Sequence, residues 1–131
     1  MTLVDSGAWF AKFVQDDPDH VRVANWFAAN REPLVTTDYC VDETLTLLVA
    51  RRRPGAALLA GRQFFEQSIA RLHFVTPDQI HRAWVLFQGR HRSGWSFTDC
   101  TSKIVIDDLE IGTALALDDH FRAFGNVVVL P

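Results

Sequence analysis

Cysteine is scarce in this chain: Cys40 and Cys100 are the only two, and they form no Cys-x-x-Cys pair. Two thiols at that spacing offer no disulfide framework, so both are read as reduced side chains. Long apolar runs are missing as well; none approaches the ~20 residues that a membrane span requires. The N-terminus has no basic stretch followed by an apolar one, so it does not read as a secretory signal. These absences lead to the expectation of a cytoplasmic protein without membrane association. Positive charge is not in excess: 13 Lys and Arg face 16 Asp and Glu, for a net charge of −3 and a pI near 5.9. Such a chain is no polycation, and any nucleic acid it meets must be held by a local basic patch or through metal ions. Repeats, linkers and low-complexity segments are absent too. The 131 residues, 48% hydrophobic and 22% charged, suit one domain spanning 1–131, long enough to bury a core.

What the chain does have is a regular alternation of short apolar runs and amphipathic stretches. Thr2-Leu3-Val4 reads as a strand that stops at Asp5. A helix follows from Ser6 to Gln15, with Trp9, Phe10 and Phe13 as an aromatic stripe. That stripe is either core packing or a groove for a partner segment. Asp19 caps a helix to about Asn30, with Val21, Ala24 and Phe27 inward. Leu34-Val35-Thr36 is a second strand. Thr37 or Asp38 opens a helix to about Arg53, closed by Pro54-Gly55. Another helix runs from Ala56 to about Gln67, with Leu58, Leu59, Phe64 and Phe65 on its apolar side. Leu72 to Val75 is a third strand. Thr76-Pro77 then starts a helix carrying Ile80, Trp84, Val85 and Phe87 to about Gly89. Gly89 to Gly94 reads as a basic loop. Thr98-Asp99 opens a helix to about Asp108, Ile111 to Leu117 is a buried strand, and Val127 to Val129 is the last strand. Strands alternating with helices predict an α/β fold, a parallel sheet covered on both faces.

Parallel sheets gather their chemistry at the C-terminal ends of the strands. Asp5 ends the first strand, Asp118 ends the late buried one, and Asp99 stands at a helix start. Glu43 falls on the arc of its helix shared by Tyr39, Cys40, Leu47 and Ala50, away from the polar stripe of Asp42, Thr46 and Arg53. Each acid has a plain explanation by itself. Asp5 and Asp99 suit helix caps, Asp118 suits a turn, and Glu43 could reach solvent or an arginine. Four carboxylates on one sheet edge, however, repel one another strongly unless a cation lies between them. An all-oxygen set with no His or Cys cluster suits Mg²⁺ or Mn²⁺ rather than Zn²⁺. Such a centre can support in-line hydrolysis of a phosphodiester.

Four segments in order, Leu-Val-Asp5-Ser-Gly-Ala-Trp, Val-Asp-Glu43-Thr-Leu-Thr, Phe-Thr-Asp99-Cys-Thr-Ser and Ala-Leu-Asp118-Asp-His-Phe, resemble a PIN-domain ribonuclease. The size and the lack of extra domains resemble the VapC-type toxins of bacterial toxin–antitoxin pairs, and the resemblance covers essentially the whole chain. It implies a three-layer α/β/α domain with about five parallel strands. It implies that Asp5, Glu43, Asp99 and Asp118 are catalytic and hold Mg²⁺ or Mn²⁺. It further implies an RNA substrate, a cognate antitoxin and a homodimer. Asp118 rather than Asp119 matches the family's acid, because two residues separate it from Phe121. Thr98 matches the hydroxyl residue before the third acid and is expected to orient substrate or water. Arg90, His91 and Arg92 are candidate phosphate contacts, as are Arg51, Arg52, Arg53 and Arg62. His120 is a general base by type, but a structural role in the turn is favoured. One competing reading is a non-catalytic RNA-binding or assembly domain of the same fold. The four acids argue against it, because carboxylates without metal repel RNA. A phospho-accepting signalling domain would want paired acids after the first strand and a late lysine. Here Ser6 and Gly7 follow Asp5, and the late strand ends at Asp118.

Overall fold

The computed structural model describes residues 1–131. Five strands form the sheet: β1 (Thr2–Val4), β2 (Leu34–Thr37), β3 (Arg71–His73), β4 (Thr113–Leu115) and β5 (Val128–Leu130). Six helices cover it: α1 (Ser6–Phe13), α2 (His20–Ala29), α3 (Asp38–Ala50), α4 (Pro54–Phe65), α5 (Pro77–Arg90) and α6 (Phe97–Asp108). Two 3₁₀ turns occupy His91–Ser93 and Asp119–Phe124. All strands pair in parallel, in the order β3-β2-β1-β4-β5. The expected three-layer α/β/α arrangement with five parallel strands is present.

β1 lies at the centre. From it the chain steps outward to β2 and β3, then crosses to the other side for β4 and β5. The switch point between β1 and β4 is where the connections part to opposite sides and leave a crevice. Leu3 pairs with Ala114 and Val4 with Leu115, and the Asp5 N–H donates to the Leu115 carbonyl at 3.0 Å. The ladder therefore extends to Asp5 and fixes it at the mouth of that crevice.

Side chains alternate across the sheet with the period of two that a strand imposes. Val4, Leu72 and Leu115 join one core with Trp9, Leu48, Ala60 and Phe64. Leu3, Val35 and Ala114 join the other with Val105, Ile106 and Phe121. Trp9 anchors α1 over the first core. Its ring stacks on Phe27 at 5.3 Å and meets Phe64 edge-on at 5.2 Å. Its Nε1–H donates to Thr36 Oγ1 at 3.0 Å, so the buried indole leaves no polar atom unpaired. Trp9 is thus core, while Phe10 and Phe13 are half-buried against it.

Several expectations need correction. α3 stops at Ala50, and Arg51 to Arg53 turn the chain, with Arg52 at φ 61. Pro54 is the first residue of α4, where its missing N–H is one that a helix start leaves unpaired anyway. Pro-Gly therefore starts a helix here instead of stopping one. In α2 Val23 is the fully buried residue, Phe27 packs on Trp9 as expected, and Val21 is exposed. α4 buries Ala57, Ala60 and Phe64, a stripe at i, i+3, i+7, and leaves Leu58, Leu59 and Phe65 facing solvent. α5 starts with the expected cap at Thr76, completed by Gln79 as a capping box. It buries Ala83 and leaves Trp84 and Val85 exposed. The basic segment is not a loop: α5 runs to Arg90 and the 3₁₀ turn follows. β4 is only three residues long, so Asp118 lies beyond the strand end and caps the last 3₁₀ turn. No helix is long and apolar enough to cross a membrane.

Candidate active site

Four elements converge on one cavity of about 330 Å³ at the switch point. Its lining includes Asp5, Ser6 and Gly7 after β1, Glu43 and Leu47 of α3, and Gly94 and Ser96 before α6. Asp99, Asp118 and His120 complete it. The four predicted acids are therefore brought together. They do not all come equally close. Potential ligand atoms of Asp99, Asp118 and His120 lie within 4.8 Å of one another, while Asp5 and Glu43 line the same cavity outside that tight group.

Each acid is held by local chemistry. The Asp5 side chain makes no capping bond to α1, so the simple cap reading does not apply. Ser6 does not cap either: its hydroxyl donates to Glu43 across to α3. That contact explains how a carboxylate on the apolar arc of α3 is accommodated. Asp99 caps α6 from inside a box. Ser96 Oγ accepts from the Asp99 N–H at 3.0 Å, and Asp99 Oδ2 accepts from the Ser96 N–H at 2.9 Å. Asp118 Oδ1 accepts from the His120 N–H at 2.6 Å. His120 Nδ1 then lies 2.9 Å from Asp99 Oδ2 and 3.0 Å from Asp118 Oδ1, bridging the two acids.

The electrostatics follow from this crowding. Burial first, then the charge of Asp99, and after it those of Glu43 and Asp118, push Asp5 up to about 7, against the pull of the Ser6 N–H. Burial likewise raises Asp99 above the ordinary carboxylate range, joined by the Asp118 charge and opposed by the Ser96 N–H and by His120. For His120, partial burial works downward, but the hydrogen bond to Asp99 and the two carboxylate charges prevail and raise it. Cys40 is buried beside Asp5, its Sγ 3.8 Å from Asp5 Oδ1. Burial and then the Asp5 charge push that thiol up to about 12, consistent with an inert reduced side chain.

The donor set fits a hard cation. Each acid uses one oxygen inside the protein: Asp5 Oδ1 toward Cys40, Glu43 Oε1 toward Ser6, Asp99 Oδ2 toward Ser96 and His120, and Asp118 Oδ1 toward His120. Glu43 Oε2, Asp99 Oδ1 and Asp118 Oδ2 take no protein hydrogen bond. No side-chain oxygen in the molecule is sealed off without a partner. These oxygens are therefore open to solvent, in residues that line the cavity, as ligands for a hard divalent ion must be. His120 directs Nδ1 at the acids and suits holding them in place.

Thr98 does not line this cavity; Ser96 does. Ser96, Gly94 and His120 are the residues that sequence reasoning missed or undervalued. Ser96-x-x-Asp99 was a readable capping signal. Gly94 holds φ 85, a left-handed conformation, and a Cβ there would lie 3.4 Å from His120 Nε2. Gly94→Ala is expected to cost about 1 kcal/mol of stability from backbone strain. Urea unfolding measures this, and unchanged stability would contradict it. Arg90 and Arg92 are exposed on the approach to Gly94, with the Arg90 guanidinium 5.1 Å over the Trp95 ring.

No protein-family model matches the chain. It is 30% identical to VapC20 of Mycobacterium tuberculosis, a 23S rRNA-specific endonuclease, over 131 residues, covering 100% of this chain and 99% of the relative. It is 27% identical to a VapC ribonuclease of Archaeoglobus fulgidus over 124 residues, 91% of this chain and 78% of that one. The crystal structure of Mycobacterium tuberculosis VapC20, described as a toxin that cleaves the sarcin–ricin loop, superposes with a TM-score of 0.92 over the whole of both chains, at 29% identity.

Proposed function

This chain belongs to the VapC-type PIN-domain ribonucleases, and from that premise we propose that its acid-lined cavity hydrolyses RNA phosphodiester bonds as the toxin of a toxin–antitoxin pair. The observation that carries the reading is the convergence of Asp5, Glu43, Asp99 and Asp118 on one cavity at the switch point. These four acids would hold Mg²⁺ or Mn²⁺. Bound there, the ion would supply a Lewis acid for water and for the phosphate oxygens. The chain's own residues supply the positioning. The ladder bond to Leu115 fixes the Asp5 backbone, Ser6 orients Glu43, and His120 sets the spacing of Asp99 and Asp118. Arg90 and Arg92 would meet the RNA backbone outside the cavity. The protein acts as a single domain of residues 1–131 in the cytoplasm, as a homodimer, and is restrained by a cognate antitoxin.

The 23S rRNA specificity of the VapC20 relative makes its sarcin–ricin loop the first substrate to try. The test is incubation of the purified protein with 23S rRNA and with a hairpin oligoribonucleotide of that loop, with Mg²⁺ or Mn²⁺. Primer extension should map one discrete cut. A folded protein that cuts neither RNA with either ion contradicts the substrate assignment. Growth arrest on expression, relieved by the neighbouring gene product, is the expected sign of a toxin. Unimpaired growth at high expression would speak for a housekeeping nuclease.

A further inference from the structure

Residues 79–98 contain no Asp or Glu, in a chain whose acids outnumber its bases. They carry Arg82, Arg90, Arg92, His81 and His91, and lead directly into Asp99. The arginine ion pairs of the protein involve Arg22, Arg53, Arg82 and Arg122, so Arg90 and Arg92 stand without a carboxylate partner.

The same stretch displays aromatic rings to solvent. Trp84 is 52% exposed, although tryptophan is usually kept inside. Its ring stacks on Phe87 at 6.2 Å with an interplanar angle of 26°. Phe87 lies 5.7 Å from the exposed His91 ring and meets Phe97 of α6 edge-on at 5.8 Å. Trp84, Phe87, Gln88 and His91 line a shallow cleft of about 220 Å³. The His91 ring is fixed across the end of α5, with Nδ1–H donating to the carbonyls of Phe87 and Gln88 at 3.1 Å each. Its Nε2 is left for an outside partner.

Bases released from a helix stack on aromatic faces, and arginines beside them hold the adjoining phosphates. We propose that Trp84, Phe87 and His91 form a stacking platform for an unpaired base of the RNA substrate, with Arg90 and Arg92 holding the flanking phosphates. The proposal rests on the ribonuclease reading above. Positive charge and open aromatic rings in one acid-free segment complement a single-stranded polyanion. The brace through Phe97 joins the platform to the helix that carries Asp99. Trp84 and His91 thereby position the strand that carries the scissile bond into the cavity.

The test uses the full chain with Trp84→Ala and Trp84→Phe, both tolerable at an exposed position. On the sarcin–ricin hairpin, Trp84→Ala should raise KM about tenfold with kcat within about twofold, and Trp84→Phe should restore most of the affinity. In an Asp99→Asn background, binding of a short oligoadenylate should quench tryptophan fluorescence. The quench should vanish in Trp84→Phe while binding persists. An unchanged KM in Trp84→Ala, or a full quench in Trp84→Phe, overturns the platform. So does a changed oligomeric state in gel filtration with RNA affinity intact, which would make the face a contact between copies. If the wild type cuts no RNA, the ribonuclease reading fails, yet the fluorescence arm still decides. A Trp84-dependent quench supports the platform, and its absence refutes it.

Discussion

Asp99→Asn is expected to lower kcat/KM for RNA cleavage by roughly 10³-fold while leaving the thermal midpoint unchanged or higher. The order of magnitude is that of removing one preorganised charge-stabilising group from an active site. The stability half follows from the local geometry. The amide oxygen of Asn can still accept from the Ser96 N–H, and Ser96 Oγ still accepts from the backbone of residue 99, so the box that starts α6 survives. What disappears is a buried negative charge that raises the proton affinity of Asp5 and is itself disfavoured by burial and by the Asp118 charge. Removing a repulsive charge stabilises the fold even as it removes function, the usual trade at an active site. A purely structural Asp99 gives the opposite pattern, with activity and midpoint falling together. Kinetics and calorimetry on the same preparation separate the two.

The metal-free protein should lose stability as pH rises from about 4 to about 7, and Asp5→Asn should reduce that loss. Unfolded, Asp5 releases its proton near 3.8; folded, it holds the proton up to about 7, because burial and then the Asp99 charge disfavour its ionised form. Between those values the folded state binds the proton that the unfolded state has given up, so rising pH favours unfolding. Below 3.8 the penalty is absent, and above 7 it is complete. A shift of this size corresponds to at most about 4 kcal/mol, shared among the coupled acids. In chelator at pH 8, Asp5→Asn should therefore be more stable than wild type, with the gap closing near pH 4. Saturating Mg²⁺ or Mn²⁺ should close it at pH 8 by stabilising wild type alone. Parallel pH curves for the two proteins would contradict this origin of the Asp5 shift.

The acids were legible because a parallel sheet places chemistry at strand ends and because Glu43 broke the apolar arc of α3. The late buried strand was legible too, since Ile111 to Leu117 is nearly all apolar and small, as a position buried on both faces requires. Which apolar residues face inward was not. α4 and α5 carry more large side chains than one packed face can cover, so Leu58, Phe65 and Trp84 remain outside while Ala57, Ala60 and Ala83 take the close approaches. Small residues let helices come near the sheet, a choice that hydrophobicity alone reverses. Pro54 was misread because proline after a helix and proline beginning the next one look alike when the turn is three arginines long. His120 was undervalued because its role depends on Asp99, which is remote in sequence and meets it only once α6 and the last 3₁₀ turn pack together.

The central claim, that these four acids form a cation-dependent ribonuclease centre, is tested most directly by one cleavage experiment. The protein is stripped with chelator, confirmed folded, and given the sarcin–ricin hairpin before and after Mg²⁺ or Mn²⁺ is returned. The account predicts no cut in chelator and restored cutting on adding either ion. Undiminished cleavage in chelator would contradict it.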